Sequence, residues 1–117
     1  MFETLKALHI AQLTTTLAIL ANEDDKEIGG RNAMEHLYLA SEHICGVLGR
    51  FRVKAQNGDH VAMRPFLDDL EDVRDLLEAA ESSIRSDLHL VAQDHLKRAE
   101  GMFPAIRMWA ELWDKTP

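Results

Sequence analysis

Little in this sequence ties the chain together covalently or breaks it locally. Its 117 residues hold one cysteine, Cys45, so no intrachain disulfide can form, and a reducing compartment is the simple expectation. Three prolines and six glycines are too few for a loop-rich or low-complexity chain. Bases are the minority, 13 against 20 acids, for a formal charge of −7. That excess argues against a surface that holds nucleic acid by neutralising phosphates. No uninterrupted apolar run approaches the roughly 20 residues of a membrane span. The N-terminal stretch MFETLKALHIAQLTTTLAILA is the most apolar, but His9, Gln12 and three threonines interrupt it. It reads as a helix of a cytoplasmic protein rather than a signal peptide. Strand-like alternation and internal repeats are missing as well.

What is present is helical spacing. Hydrophobic residues make up 46% of the chain and charged residues 28%, the balance of a folded globular domain. A chain of this length fits one domain, residues 1–117. A first helix is predicted from about Phe2 to Asn22, with Phe2, Leu5, Leu8, Leu13, Ile19 and Leu20 on one broad stripe. The segment NEDDKEIGG then reads as a loop. A second helix is predicted from Asn32 to Gln56, its seam formed by Met34, Leu37, Ile44, Leu48 and Phe51, with Cys45 beside them as a small core residue. Asn57-Gly58 reads as a left-handed stop. Pro65 is the expected first residue of a third helix, with Asp68 and Asp69 in its favourable first turn. Phe66, Leu70, Val73, Leu77, Ala80 and Ile84 share one face of it. Ser86 or Asp87 would cap a fourth helix carrying Leu88, Val91, Ala99 and Met102. Gly101 and Pro104 predict that its C-terminal part is kinked or broken off as a short fifth helix. Four amphipathic helices joined by short loops predict an all-α fold: an antiparallel up-and-down four-helix bundle.

Two stretches stand out as contact surfaces. Asp68, Glu71, Asp72, Asp75 and Glu78 recur at helical spacing on the outer face of the third helix. They read either as a solvated face or as a carboxylate row that meets a basic groove on a partner, one that ordinarily handles nucleic acid included. The tail is apolar nearly all round: Ile106, Met108, Trp109, Leu112 and Trp113 leave only Arg107, Glu111 and Asp114 polar. Such a helix wants cover on more than one side. Met108, Trp109, Leu112 and Trp113 are therefore candidates either for closing the end of the bundle or for self-association.

The string RNAMEHLY has two readings. As local structure, Asn32 is an N-cap, Glu35 stands at the capping-box position, and Arg31, His36 and Tyr38 have ordinary surface places. As chemistry, Arg31-Asn32, then His36, then Tyr38 resembles the signature of HEPN-domain ribonucleases. The resemblance covers about eight residues and implies metal-independent RNA cleavage by a small, usually dimeric helical bundle. It would make His36 the group that activates the ribose hydroxyl or protonates the leaving group. Arg31 would steady the phosphate charge, while Asn32 and Tyr38 positioned the site.

Six histidines raise the question of a metal. Neither Glu-x-x-His nor His-x-x-x-His occurs, so no helix turn offers a ready pair of ligands, and no metal or cofactor is expected. His9, Gln12, Thr16 and His95 fall within apolar stripes. They read as an interior polar set that is either mutually satisfied or a ligand site. The sequence thus points first to a small acidic cytoplasmic protein of regulator or inhibitor type that works by protein–protein contact and self-associates. The alternative is a ribonuclease built on Arg31 and His36. A protein partner and a second copy of the chain are expected; a membrane or direct nucleic-acid contact is not.

Overall fold

A computed structural model describes residues 2–23, 28–58 and 60–114. They form four helices: α1 (Phe2–Glu23), α2 (Ile28–Gln56), α3 (His60–Arg85) and α4 (His89–Asp114). Each helix packs on its two neighbours in the cyclic order α1–α2–α3–α4. The result is an all-α four-helix bundle, about 47 Å long and 22 by 19 Å across. Cross-links fix the directions. Arg50 near the end of α2 reaches Glu3 at the start of α1, and Asn22 at the end of α1 bonds to His89 at the start of α4. Neighbouring helices therefore run antiparallel, as the short connections require.

The core follows the seams of α2 and α3 closely. Leu37, Ile44, Leu48 and Phe51 of α2 are buried, with Met34 packed partly against them. Phe66, Leu70, Val73, Leu77, Ala80 and Ile84 of α3 are all buried. Phe51 and Phe66 meet edge to face, ring centres 4.8 Å apart and planes at 89°, an arrangement favoured by the ring quadrupoles. Cys45 lies one position off the seam and is exposed, not a core residue.

The outer two helices depart from expectation. In α4 the buried line is Ala92, Leu96, Ala99, Phe103, Ile106 and Ala110, while Leu88 and Val91 are 52% and 44% exposed. In α1 Leu8 and Ile19 are buried with Ala11 and Ala18, but Leu13 and Leu20 point outward, 51% and 55% exposed. A helix apolar on every side gives the hydrophobic effect no preferred rotation. Directional bonds choose it here. The Thr16 hydroxyl donates to Glu100 Oε2 (2.7 Å), Asn22 Nδ2 to Gln93 Oε1 (2.9 Å), and Arg107 Nη1 to Gln12 Oε1 (3.1 Å). All three join α1 to α4 and turn Leu13, Leu17 and Leu20 to the outside.

Helix ends also differ from the sequence reading. α2 starts at Ile28, so Gly29, Gly30, Arg31 and Asn32 are helical and Asn32 caps nothing. Residues 24–27 of the expected loop lie outside the described residues. α3 starts at His60 with Pro65 inside it, so Asp68 and Asp69 lie beyond the first turn. Among the described residues the one non-glycine with positive φ is Asp87 (58°), and no glycine has positive φ. The left-handed stop is thus Asp87, not Asn57-Gly58. Asp87 N–H donates to Ile84 C=O (3.1 Å) and Leu88 N–H to Ser83 C=O (2.8 Å), the bond pair of a Schellman motif. Leu88 C=O then accepts from Ala92 (3.0 Å), making Leu88 rather than Ser86 or Asp87 the N-cap of α4. Helix α4 continues through Gly101 and Pro104 to Asp114, so no fifth helix breaks off. Pro104 removes one helical bond, but it stands on the exposed side, where water can take the freed carbonyl. Phe103 and Ile106, both fully buried, hold the helix to the core on either side of it.

Candidate interaction surfaces

The outer face of α3 is a row of carboxylates set by the same periodicity that buries its other side. Asp68, Asp72, Asp75 and Glu78 are exposed and Glu71 is half-buried. Three of the five have cations: Arg64–Asp68 at 3.3 Å, Arg52–Glu71 at 2.8 Å and Arg74–Asp75 at 3.2 Å. Among the described residues Asp72 and Glu78 have no ion pair. Asp69, on the flank toward α4, titrates above its ordinary value, first because of burial and then because of Asp72 and Asp68. The Arg74 guanidinium is held above its ordinary value, chiefly by its hydrogen bond to Asp75. Local negative potential is therefore left over after the internal pairing, and a cationic group would be attracted there.

Toward α4 this face folds into a shallow groove lined by Asp72, Asp75, Leu76, His95, Arg98 and Met102. His95 Nδ1 is buried there without a hydrogen-bond partner. The groove has an acidic wall from α3 and a mixed wall from α4.

The tail divides along its two sides. Trp109 and Trp113 pack partly against the core beside buried Ile106 and Ala110. Met108 and Leu112 are 72% and 54% exposed, and with Ala105 and Trp109 they line a small apolar groove. The Lys54 ammonium lies 5.5 Å from the centre of the Phe51 ring and donates to the Trp113 carbonyl at 3.1 Å. A cation at the C-terminal end of α4 is favourable to the helix dipole. The tryptophans thus help close this end of the bundle, and Met108 and Leu112 remain as surface.

The four residues of the RNAMEHLY string lie on one uninterrupted helix. Arg31 and Asn32 are exposed, Tyr38 is 70% exposed and His36 is half-buried. At about 100° per residue, Arg31 and Tyr38 share a face, whereas His36 stands about 140° round the axis from Arg31. One chain does not aim the guanidinium and the imidazole at a common point.

The expected interior polar set does not assemble. His9 is exposed. Gln12 and Thr16 lie at the α1–α4 seam, bonded to Arg107 and Glu100, and His95 lies across the bundle between α3 and α4. The chemistry of each was legible; which helix it would face was not.

A different polar cluster closes the other end of the bundle. Asn22 Nδ2 donates to His89 C=O and to Gln93 Oε1, both at 2.9 Å, and Asn22 Oδ1 faces His89 Nδ1 at 2.9 Å. Gln93 Nε2 donates to Glu23 Oε1 (2.7 Å) and Ile19 C=O (3.2 Å). Lys97 sits 3.6 Å from Glu23. Asn22 and Gln93 are 8% and 9% exposed. Asn22 looked like the first residue of a polar loop, and nothing local marks it as buried; pairing it with Gln93 needs the α1–α4 register.

Among the described residues no three His, Cys, Asp or Glu side chains converge as metal ligands. α1 is the one described helix whose length and composition would suit a membrane span, a property that core helices share. No protein-family model, curated protein or solved structure matches this chain.

Proposed function

We propose that this protein is a non-enzymatic, self-associating helical bundle that binds a protein partner through the acidic face of α3. The observation that carries this reading is the surplus of exposed carboxylate at Asp72 and Glu78, which have no ion pair among the described residues, beside the exposed, Arg74-paired Asp75 and an Asp69 whose ionisation is already resisted. Negative groups placed so close cost the isolated molecule energy and reward a partner that brings positive charge. The partner is accordingly a protein with a basic groove. A groove that otherwise meets phosphate would make this chain a regulator or inhibitor of nucleic-acid-handling machinery. Met108 and Leu112 supply an apolar contact at one end. The single exposed thiol of Cys45 suits a reducing, cytoplasmic setting.

The test is affinity capture with the immobilised protein, followed by identification of what is retained. A basic protein should be held in a salt-sensitive manner and released by Asp72→Lys, Asp75→Lys and Glu78→Lys combined, none of which is buried or in the α1–α4 seam. Retention unchanged by that triple reversal would sink the reading. The ribonuclease alternative has less support because His36 and Arg31 diverge around α2. It would be established instead by metal-independent cleavage of a fluorogenic RNA that His36→Ala abolishes.

A further inference from the structure

At the end of the bundle where α1 begins and α2 finishes, one threonine behaves unlike the others of α1. Thr14, Thr15 and Thr16 each donate their hydroxyl to the carbonyl four residues back, at Ile10, Ala11 and Gln12, the usual recourse of a threonine inside a helix. Thr4 stands in the first turn of α1, where the helix supplies no such carbonyl. It is 0% exposed, and among the described residues its Oγ1 has no hydrogen-bond partner. A buried hydroxyl is rarely left unpaired, and its hydrogen can turn toward an acceptor placed beside it.

There is room for one. Thr4, Arg50, Phe51, Val53 and Lys54 line a pocket of about 420 Å³, within the range of small-molecule sites. Arg50 and Lys54 are four residues apart and share a face of α2, where like charges repel. An anion between them relieves that repulsion. Both have donors to spare. Arg50 lies 3.7 Å from Glu3, whose side chain is 86% exposed, too far for a hydrogen bond. Lys54 gives one N–H to the Trp113 carbonyl, and an ammonium has two more.

The rest of the wall selects the kind of anion. Phe51 and Val53 bring no side-chain donor or acceptor, so a peptide laid on them would leave its amides unpaired, at a cost that an alkyl chain does not meet. A carboxylate suits the polar end, because it accepts several hydrogen bonds at once and matches the guanidinium fork. We infer that this pocket binds a small amphipathic carboxylate of the medium-chain fatty acid class. Its carboxylate is taken by the Thr4 hydroxyl, Arg50 and Lys54, and its chain lies on Phe51 and Val53. The site shares no residue with the acidic face of α3 and does not depend on the partner proposed for that face.

An amide NMR titration of the full chain with sodium decanoate, with calorimetry for the affinity, tests it. One decanoate should bind per chain, with shifts concentrated at Thr4, Phe51, Val53 and Lys54 and none at Asp72. Decanol keeps the chain without the charge and should bind at least about tenfold more weakly. Acetate keeps the charge without the chain and should not bind measurably. Arg50→Gln alters a partly exposed side chain, should leave the circular-dichroism spectrum unchanged, and should weaken decanoate about tenfold. Thr4→Val should have two opposite effects. It should weaken decanoate about fivefold or more, and it should raise the Tm of the free protein, because it deletes a buried hydroxyl that has no partner. A threonine with a merely structural role would give a lower Tm. Absence of saturable decanoate binding, shifts centred elsewhere, decanol equal to decanoate, indifference to Arg50→Gln, or a Thr4→Val protein that melts lower or binds as well would each overturn the inference.

Discussion

Asp87 holds the turn between α3 and α4 in a conformation that its own side chain resists. Its φ is 58°, and for a residue with a Cβ the left-handed region costs roughly 1–2 kcal/mol relative to the right-handed one. Aspartate is among the residues that tolerate it best, so the lower figure applies. Glycine removes the clash but loses more backbone freedom on folding, about 0.5–1 kcal/mol relative to alanine. Glycine is nevertheless the residue most often found at this position of a Schellman turn. The carboxylate itself gives little in return. It is 97% exposed and 3.8 Å from His89 Nε2, a distance at which an exposed pair contributes almost nothing.

Asp87→Gly is therefore expected to stabilise the bundle by up to about 0.5 kcal/mol, a rise in Tm of up to about 3 °C for a chain of this size. Asp87→Asn keeps most of the left-handed tolerance and removes the charge, and should leave Tm nearly unchanged. Asp87→Ala should lower it, because alanine has neither the tolerance of the amide nor the freedom of glycine. Thermal unfolding followed by circular dichroism gives the order glycine, then aspartate and asparagine, then alanine. A glycine variant no more stable than alanine would refute the argument, since it would show that the two backbone bonds to Ile84 and Ser83 do not need a left-handed residue.

Other expectations follow from the packing. Asn22→Ala strands Gln93 Oε1 and the His89 carbonyl in a buried place and should cost about 1–3 kcal/mol in chemical denaturation. Asn22→Leu combined with Gln93→Leu should recover part of that, and a double loss equal to the sum of the singles would show that the two side chains do not interact. Phe66→Ala empties a fully buried site against Phe51 and should cost about 3–5 kcal/mol; a loss under about 1 kcal/mol would contradict the packing described. Asp69 has a folded-state pKa raised above its ordinary 3.8, so its ionisation disfavours the folded state once the pH exceeds the ordinary carboxylate value. Asp69→Asn should raise Tm near neutral pH, and the gain should vanish as the pH falls below about 4, where aspartate is protonated in both states. A gain independent of pH would locate its cause elsewhere.

Where the sequence was most legible, one face was apolar and the opposite face charged. In α3 the core residues Phe66 to Ile84 and the acidic row from Asp68 to Glu78 separate cleanly, so burial and surface both follow from spacing alone. α2 was legible for the same reason, apart from its start. No signal in IGGRN marks Ile28 as helical, because two glycines ordinarily argue for a turn. The ends of α3 and α4 misled because Pro65 and Ser86 match common capping chemistry. Proline is tolerated farther along a helix when its side is exposed, and a left-handed aspartate can place the cap two residues later than the serine suggests. The acidic face could thus be read in advance as a candidate, whereas the Asn22–Gln93 cluster could not, since its members are 71 residues apart and meet only once α1 and α4 are in register.

The rotation of α1 links stability to surface. Its apolar residues could be buried nearly as well on either side: Leu8, Ala11, Ala18 and Ile19 on one, Ile10, Leu13, Leu17 and Leu20 on the other. The hydrophobic effect is non-directional and separates these alternatives weakly. Buried hydrogen bonds separate them strongly, because a half-turn of α1 would strip Asn22, Gln93 and Thr16 of their partners at about 1–3 kcal/mol for each group left unsatisfied. The bonds to Gln93 and Glu100 therefore do more than stabilise the pair of helices. They determine that the smaller side chains, alanines and threonines, fill the narrow contact inside the bundle, and that Leu13, Leu17 and Leu20 stand outside. The polar seam inside and the leucine stripe outside are two consequences of a single choice of helix rotation, and a change that loosens the first reshapes the second.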